Sequence, residues 1–555
     1  MTRFSRPRTK AATRAEIQRE LPGLTRRGVS SPLATDGAWP VPEVRHLRSA
    51  PPPVVRRRGV ANHQGGSGYV REPKAELFLL AVSHRFGRDT FYETAAEREE
   101  RYLRLVREHA LSDPRWTLGL LRWLRTEARI RTAAVAGAAA FVHARAAAGA
   151  AGYSRQAVDA VLQRPDEPGE LLEIWTTRYG RRLPQPLRRG IGDAVRRLYT
   201  ARALLKYDTP AHRFRFGDVL ELTHPAPDPA RPWQGALFRY ALDRRHHPES
   251  ALPPAGERLL TSHHALLAVP RADRRALVTG PGGADRLAEA GMTWEALAGW
   301  LHGPLDAAVW EAVIPSMGPM ALVRNLRNFD QAGVGDAAAA AVARRIADPE
   351  EVRRSRQFPF RYLAAHRAAR SPRWAEALGT ALGHSLARVP ALPGRTLVLV
   401  DRSGSMFDQP SARTGLDRAD TAAVFGTALA LRAERADLVQ FGSGSWTVEP
   451  GPSVLETVGR FRALGGTRTA AAVLKHYREH DRVVVVTDEQ DDRSRSDPFA
   501  PVPEDVPVYT WNLAGYGTGH TPPGPRRYTF GGLGDASFAL IPLLERGHAA
   551  AWPWD

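Results

Sequence analysis

The chain has no cysteine among its 555 residues. Disulfides, thiolate zinc sites and cysteine nucleophiles are excluded together, and a reducing, cytoplasmic setting is the expected one. Nor is there a run of about 18 apolar residues of the kind that spans a bilayer, so no membrane is expected. The first forty residues are rich in arginine but lack the apolar stretch of a secretory signal. Lysine is scarce, at four of the 78 basic residues.

What is present is 43% hydrophobic and 25% charged residues, the make-up of a globular protein. At this length two or three domains are expected, because single cores stop growing near roughly 250–300 residues. The formal charge is +19, and its location matters more than its size. From Arg395 to Asp555 there are 17 basic and 20 acidic residues, a net of −3; the preceding part holds 61 and 39, a net of +22. A compositional bias explains arginine over lysine but not this asymmetry. Such a polarised field attracts polyanions, nucleic acid first.

Residues 1–58 carry Pro51-Pro52-Pro53 and Arg56-Arg57-Arg58 with little periodicity, and read as a poorly ordered basic arm. From about Glu72 the apolar spacing becomes helical, with Leu77, Leu80 and Ala81, then Leu103, Val106 and Ala110. Short helices broken by prolines continue to about Pro390, a pattern of stacked helix pairs spanning 59–392. At Pro393-Gly394 the character changes. The apolar runs Thr396–Val400, Leu438–Phe441, Val483–Val486 and Val506–Tyr509, separated by helical segments, predict a doubly wound α/β domain over 393–555. Ligands of such sheets sit at the carboxyl ends of the strands.

The polar motifs fall at those ends. Asp401-Arg402-Ser403-Gly404-Ser405 follows the first strand, Gly465-Gly466-Thr467 precedes a helix, and Thr487-Asp488 closes a later strand. Asp401, Ser403, Ser405, Thr467 and Asp488 together offer hard oxygen ligands suited to Mg²⁺ or Mn²⁺. The alternative is that Asp401 only caps a helix while the serines turn the chain. No histidine lies near these motifs in sequence to activate a serine. Glu489, Asp491 and Asp492 read as a solvated loop, and no acidic set for two-metal phosphoryl chemistry appears elsewhere. No enzymatic activity is expected.

The order DxSxS, GGT and TD resembles the metal-ion-dependent adhesion site of von Willebrand A domains. The helical part resembles the TROVE module of Ro-type proteins in Asn62–Tyr69, Phe86-Gly87 with Thr90–Glu93, Lys206-Tyr207, Asp218–Leu220 with Leu222–Pro225, and Met317–Asn328. The resemblance implies a mainly α protein, a ring of HEAT-like helix pairs closed by the A-type domain. It further implies binding of small Y-like RNA on a basic surface and of misfolded RNA through single-stranded 3′ ends. The implied chain is a monomer, with an exoribonuclease such as polynucleotide phosphorylase as a partner. Where the family often carries a histidine before the aspartate matching Asp218, this chain has Phe216, which leaves His224 as the family-type histidine.

The residues carry an RNA reading on their own. Taken as one helix, Leu187–Tyr207 places Arg188, Arg189, Arg196, Arg202 and Lys206 on an arc of roughly 140°. Leu187, Ile191, Ala194 and Leu198 share the neighbouring arc, while Tyr199 and Tyr207 are candidates for base stacking. Arg122, Arg125 and Arg129 suggest a second stripe, with a solvated helix face as the alternative for each. Asn62–Tyr69 lacks the Gly-Lys-Ser/Thr ending of a phosphate loop and reads as a tight turn with a packed tyrosine. The competing function is a metal-dependent protein-interaction adaptor acting through the A-type domain.

Overall fold

The computed structural model describes residues 60–61, 67–70, 72–82, 94–355, 357, 359–369, 371–387, 389–407, 416–491, 497–522, 524, 526–531, 535–545, 552 and 554. The basic arm, the Asn62–Gly66 loop, the Phe86–Glu93 motif and Asp492 lie outside them, and so does the side chain of Tyr69.

From Pro73 to Leu386 the described chain is helical. Several helices begin or end at a local cap. In the helix Ala95–Ser112, Thr94 accepts from Glu97 N, and Glu97 reaches back to Thr94 N at 3.0 Å, satisfying two orphan amides at once. The helix Gln185–Leu198 buries Leu187, Ile191, Ala194 and Val195 and turns arginines outward. It stops at Tyr199, whose ψ of 114° is extended. Thr200 then caps a separate helix, Ala201–Tyr207, by accepting from Ala203 N at 3.2 Å. The expected single helix over Leu187–Tyr207 is therefore two, because the threonine side chain competes for the backbone at that point.

The C-terminal part is built on a six-stranded sheet. With β1 at Val60–Ala61 and β2 at Ser67–Val70, its strands are β3 (Leu392–Asp401), β4 (Ala433–Phe441), β5 (Ser445–Thr447), β6 (Arg482–Thr487), β7 (Val508–Asn512) and β9 (Arg527–Gly531). The order is β5-β4-β3-β6-β7-β9, parallel except for the edge strand β5. The last expected strand lies two residues later than Val506, and β5 and β9 were not foreseen. Val398, Val400, Val484 and Val486 belong to the main core, whereas Leu397, Leu399, Val483 and Val485 fill the opposite face. Burial on both faces explains the unbroken apolar runs.

This A-type domain touches both ends of the helical series. At the far end, Arg367 pairs with Asp420 and Arg432 Nε donates to Val389 O at 2.9 Å. At the near end, β2 pairs with β8 (Thr518–Gly519), and Arg101 Nη2 donates to Gly515 O at 3.2 Å. Trp552 and Trp554 pack their rings 5.0 and 5.4 Å from that of Trp116. The helices are thereby closed into a ring through the A-type domain.

Candidate functional site

Two sites emerge, one in each part. At the carboxyl edge of the sheet, β3 delivers Asp401 and β6 delivers Thr487 and Asp488. Both oxygens of Asp401 have protein donors: Ser403 N at 2.8 Å on Oδ1 and Thr487 Oγ1 at 2.6 Å on Oδ2. Ser403 Oγ and Ser405 Oγ stand 3.4 Å apart. The Gly465 loop is held against this turn, since Gly404 N donates to Gly465 O at 2.6 Å and Leu464 N to Arg402 O at 2.9 Å. Thr467 follows two residues on and is buried. All five predicted oxygen donors are buried at this edge.

The electrostatics of the site are unfavourable without a cation. Burial and the neighbouring Asp488 carboxylate push the Asp401 carboxyl up to about 7. Burial also raises Asp488, against the lowering pull of Arg418 and Ser405. Asp488 Oδ2 is buried without a hydrogen bond, and Arg418 Nη1 lies 3.8 Å from it. Two buried carboxylates, three hydroxyls and an unsatisfied carboxylate oxygen fit a hard divalent ion. Among the described residues no three His, Cys, Asp or Glu side chains form a metal group by themselves, so hydroxyl donors are essential to that fit.

The expected solvated loop after Asp488 is instead buried. Glu489 accepts from Asn512 Nδ2 at 2.7 Å and from Thr521 N at 3.2 Å. Asp491 Oδ1 accepts from Thr469 N at 3.2 Å. Their charges are used to tie loops to the sheet edge, a role that hydropathy does not reveal. A histidine remote in sequence also arrives: His520 Nε2 is 3.3 Å from Thr469 Oγ1.

The second site is a cavity of about 230 Å³ lined by Arg155, Arg188, Arg189, Gly192, Asp193, Arg196, Thr223, His224, Pro225 and Ala226. One glycine permits it. A Cβ on Gly190 would lie 2.6 Å from Val158 Cβ and 2.7 Å from Arg155 O. Glycine there lets the helix Ser154–Val161 approach and bring Arg155 onto Asp193, at 2.5 Å. Gly192 faces Pro225, to which an added Cβ would stand at 3.5 Å. His224 ends the helix Phe216–Thr223 in a left-handed conformation (φ 46°, ψ 54°), and Pro225 prevents continuation.

Of the predicted basic residues, the cavity gathers Arg188, Arg189, Arg196 and His224. Arg196 is partly committed to Asp193 at 2.6 Å, and Arg188 Nε to Leu222 O at 3.1 Å. Arg202 and Lys206 do not line it, because the break at Tyr199 turns their helix away; Lys206 Nζ instead sits 5.2 Å above the Tyr207 ring. Tyr199 is buried and stacks on Phe216, ring centroids 3.8 Å apart, so it is no platform for a base. The second stripe also fails. Arg125 pairs with the fully buried Glu167 at 2.6 Å, and Arg129 lies past the helix end with φ 56°. Arg155 was missed because only tertiary packing places it beside Asp193.

A helical ring joined to an α/β domain with an oxygen-rich site at its carboxyl edge defines a class: helical-repeat proteins closed by a doubly wound α/β domain. Residues 289–374 match the family model of the TROVE domain. The fold is similar to the crystal structure of the Deinococcus radiodurans RO (RSR) protein, with a TM-score of 0.61 at 19% identity, covering 86% of this chain and 100% of that one. No curated protein matches the sequence. The chain thus matches the TROVE model over one segment and shares its overall fold with that Ro protein. Among the described residues, no helix is long and apolar enough to cross a membrane.

Proposed function

We propose that this protein is a non-catalytic RNA-binding protein of the Ro type. It holds the stem of a small Y-like RNA at the arginine cavity and captures misfolded RNA by its single-stranded 3′ end. The observation that carries the reading is the convergence of Arg155, Arg188, Arg189, Arg196 and His224 on one cavity, with Asp193 the only acid among the described residues lining it. Guanidinium groups suit bidentate contact with phosphate oxygens, and backbone contacts of this kind are largely blind to sequence. Capture of 3′ ends rests on ring closure: an opening that admits one strand excludes a duplex. Correctly folded RNA buries its end and is passed over. A 3′→5′ exoribonuclease acting on the captured strand is the partner class this implies, in the cytoplasm. Mg²⁺ or Mn²⁺ is held by Asp401, Ser403 and Ser405, with Thr467 and Asp488 completing the shell directly or through water.

The test is a matched set of stem RNAs with 3′ tails of zero, four and ten nucleotides, read by fluorescence anisotropy. Affinity is expected to rise with tail length, to fall when the 3′ terminus carries a bulky group, and to drop steeply with salt. Equal affinity across the set would remove end capture and leave stem binding alone. The adaptor reading, in which the metal edge bridges to a partner's acid, predicts no RNA affinity at all.

A further inference from the structure

Arg418 opens the helix Arg418–Arg432 and is only 3% exposed. Its guanidinium enters the oxygen-rich edge of the sheet. Nη1 donates to the backbone O of Ser405 at 3.4 Å and stands 3.8 Å from Asp488 Oδ2. The second distance is too long for a hydrogen bond, so the attraction between the two groups is one of charge. It falls on the oxygen of Asp488 that is buried without a hydrogen bond. The other oxygen accepts from Gln490 N at 3.3 Å.

The packing of its helix fixes where Arg418 sits. Asp417 caps that helix, accepting from Asp420 N at 2.7 Å, and Asp420 is held in turn by Arg367 of the helical part. Gly426 lets the helix lie close on β3, since a Cβ there would stand 2.4 Å from Val400 Cγ2. The guanidinium is thus carried by an element anchored to both the sheet and the helical ring. Two other basic groups lie nearby, and both are engaged elsewhere. Arg402 donates through Nε to Arg462 O at 3.1 Å and lies 4.6 Å from the centroid of the Phe407 ring. His520 Nε2 is turned to Thr469 Oγ1. Burial raises the pKa of Asp488, and Arg418 is the foremost group that lowers it.

These charges decide what the edge can hold. Asp401 and Asp488 are the two carboxylates of the donor set, and together they balance one divalent ion. With Arg418 in place, such an ion leaves a positive charge in excess, in a buried and weakly screened setting. A hard ion also draws on the carboxylate that Arg418 faces, directly or through a bound water.

We propose that Arg418 is a built-in cation of this edge that competes with a divalent ion for Asp488 and so sets how tightly the site holds metal. The inference rests on the metal reading above but concerns a residue outside the donor set. It gives the domain a form in which Asp488 is compensated without metal.

The experiment uses the full chain with Mn²⁺ as the probe, free Mn²⁺ being read from its electron paramagnetic resonance signal. Arg418→Gln is expected to tighten Mn²⁺ at least about tenfold, the scale of one charge removed from beside a buried group. Arg418→Met, apolar and similar in length, should do the same and serves if the glutamine variant does not fold. Arg418→Lys keeps the charge and should bind like the wild type. In chelator the neutral variants should melt below the wild type and Arg418→Lys, and saturating Mn²⁺ should close the gap. Adding Asp401→Ala to Arg418→Gln should abolish the binding, which ties it to this edge. If the wild type binds Mn²⁺ and the neutral variants bind it no tighter, Arg418 is a structural ion pair and the competition is wrong, while the metal assignment stands. If only the neutral variants bind, both are supported. If no form binds, the metal assignment falls and this inference with it.

Discussion

The hydroxyl of Thr487 donates to Asp401 Oδ2 across 2.6 Å, tying the end of β6 to the end of β3. That bond and the one from Ser403 N lower the pKa of Asp401, yet burial and Asp488 outweigh them. The folded carboxyl therefore titrates near 7, against 3.8 for the free side chain. Between these values the folded state binds more protons than the unfolded, so stability falls as pH rises through the interval.

With divalent ions chelated, the melting temperature is expected to drop between pH 5 and pH 7.5. The loss is on the order of 3 kcal/mol, at about 1.4 per pKa unit. Added Mg²⁺ should restore it at pH 7.5 and do little at pH 5, where the Asp401 carboxyl holds its proton. Asp401→Ala should abolish the Mg²⁺ response while changing RNA affinity little. Equal Mg²⁺ responses in mutant and wild type would refute the metal assignment.

At the arginine cavity the effects should divide by position. Arg188→Ala with Arg189→Ala should weaken stem RNA by at least about tenfold, at roughly 1.5–3 kcal/mol per charged contact. Arg202→Ala with Lys206→Ala should change it by much less, since neither lines the cavity. Equal losses from both pairs, measured at one salt concentration, would show that the whole face binds diffusely.

Tyr199 offers a test of the stacked core. Its hydroxyl is buried without a hydrogen-bond partner. Tyr199→Phe should therefore leave stability unchanged or raise it by about 1 kcal/mol. Tyr199→Ala should cost about 3–5 kcal/mol by leaving a void beside Phe216. Denaturant melts of both variants decide; an RNA-binding defect in a stable Tyr199→Phe protein would return the residue to the binding surface.

Ring closure depends in part on Trp552 and Trp554, which are half-buried against Phe78, Trp116 and Trp123. Trp552→Ala with Trp554→Ala should cost about 1–3 kcal/mol, less than a full core truncation. It should also speed proteolysis near Phe78, while the metal response at Asp401 persists. An unchanged cleavage pattern would show that β2–β8 pairing and Arg101 suffice to hold the ring.

Much of this was legible beforehand. Thr396–Val400 and Val483–Val486 announced themselves as strands because both faces of a parallel sheet are apolar. Asp401, Ser403, Ser405, Thr467 and Asp488 could be grouped because strand ends in a doubly wound sheet converge on one edge. Glu489 and Asp491 were misread because a charged loop looks solvated until its hydrogen-bond partners, Asn512, Thr521 and Thr469, are known. The arginine arc failed at Thr200 for a local reason: a threonine side chain that caps the next helix competes with continuation, and periodicity alone does not weigh that contest.

Local chemistry determined the elements, the domain change at Pro393 and the oxygen-donor motif, since each depends on neighbours within a few residues or on strand periodicity. Tertiary structure alone decided which charges are free. Arg125, Arg367 and Arg373 look as basic in sequence as Arg189, but Glu167, Asp420 and Asp330 neutralise the first three. The residues in each of those pairs lie more than 40 positions apart. Charge left over for a ligand is a difference between packed neighbours, and only the folded chain sets that difference.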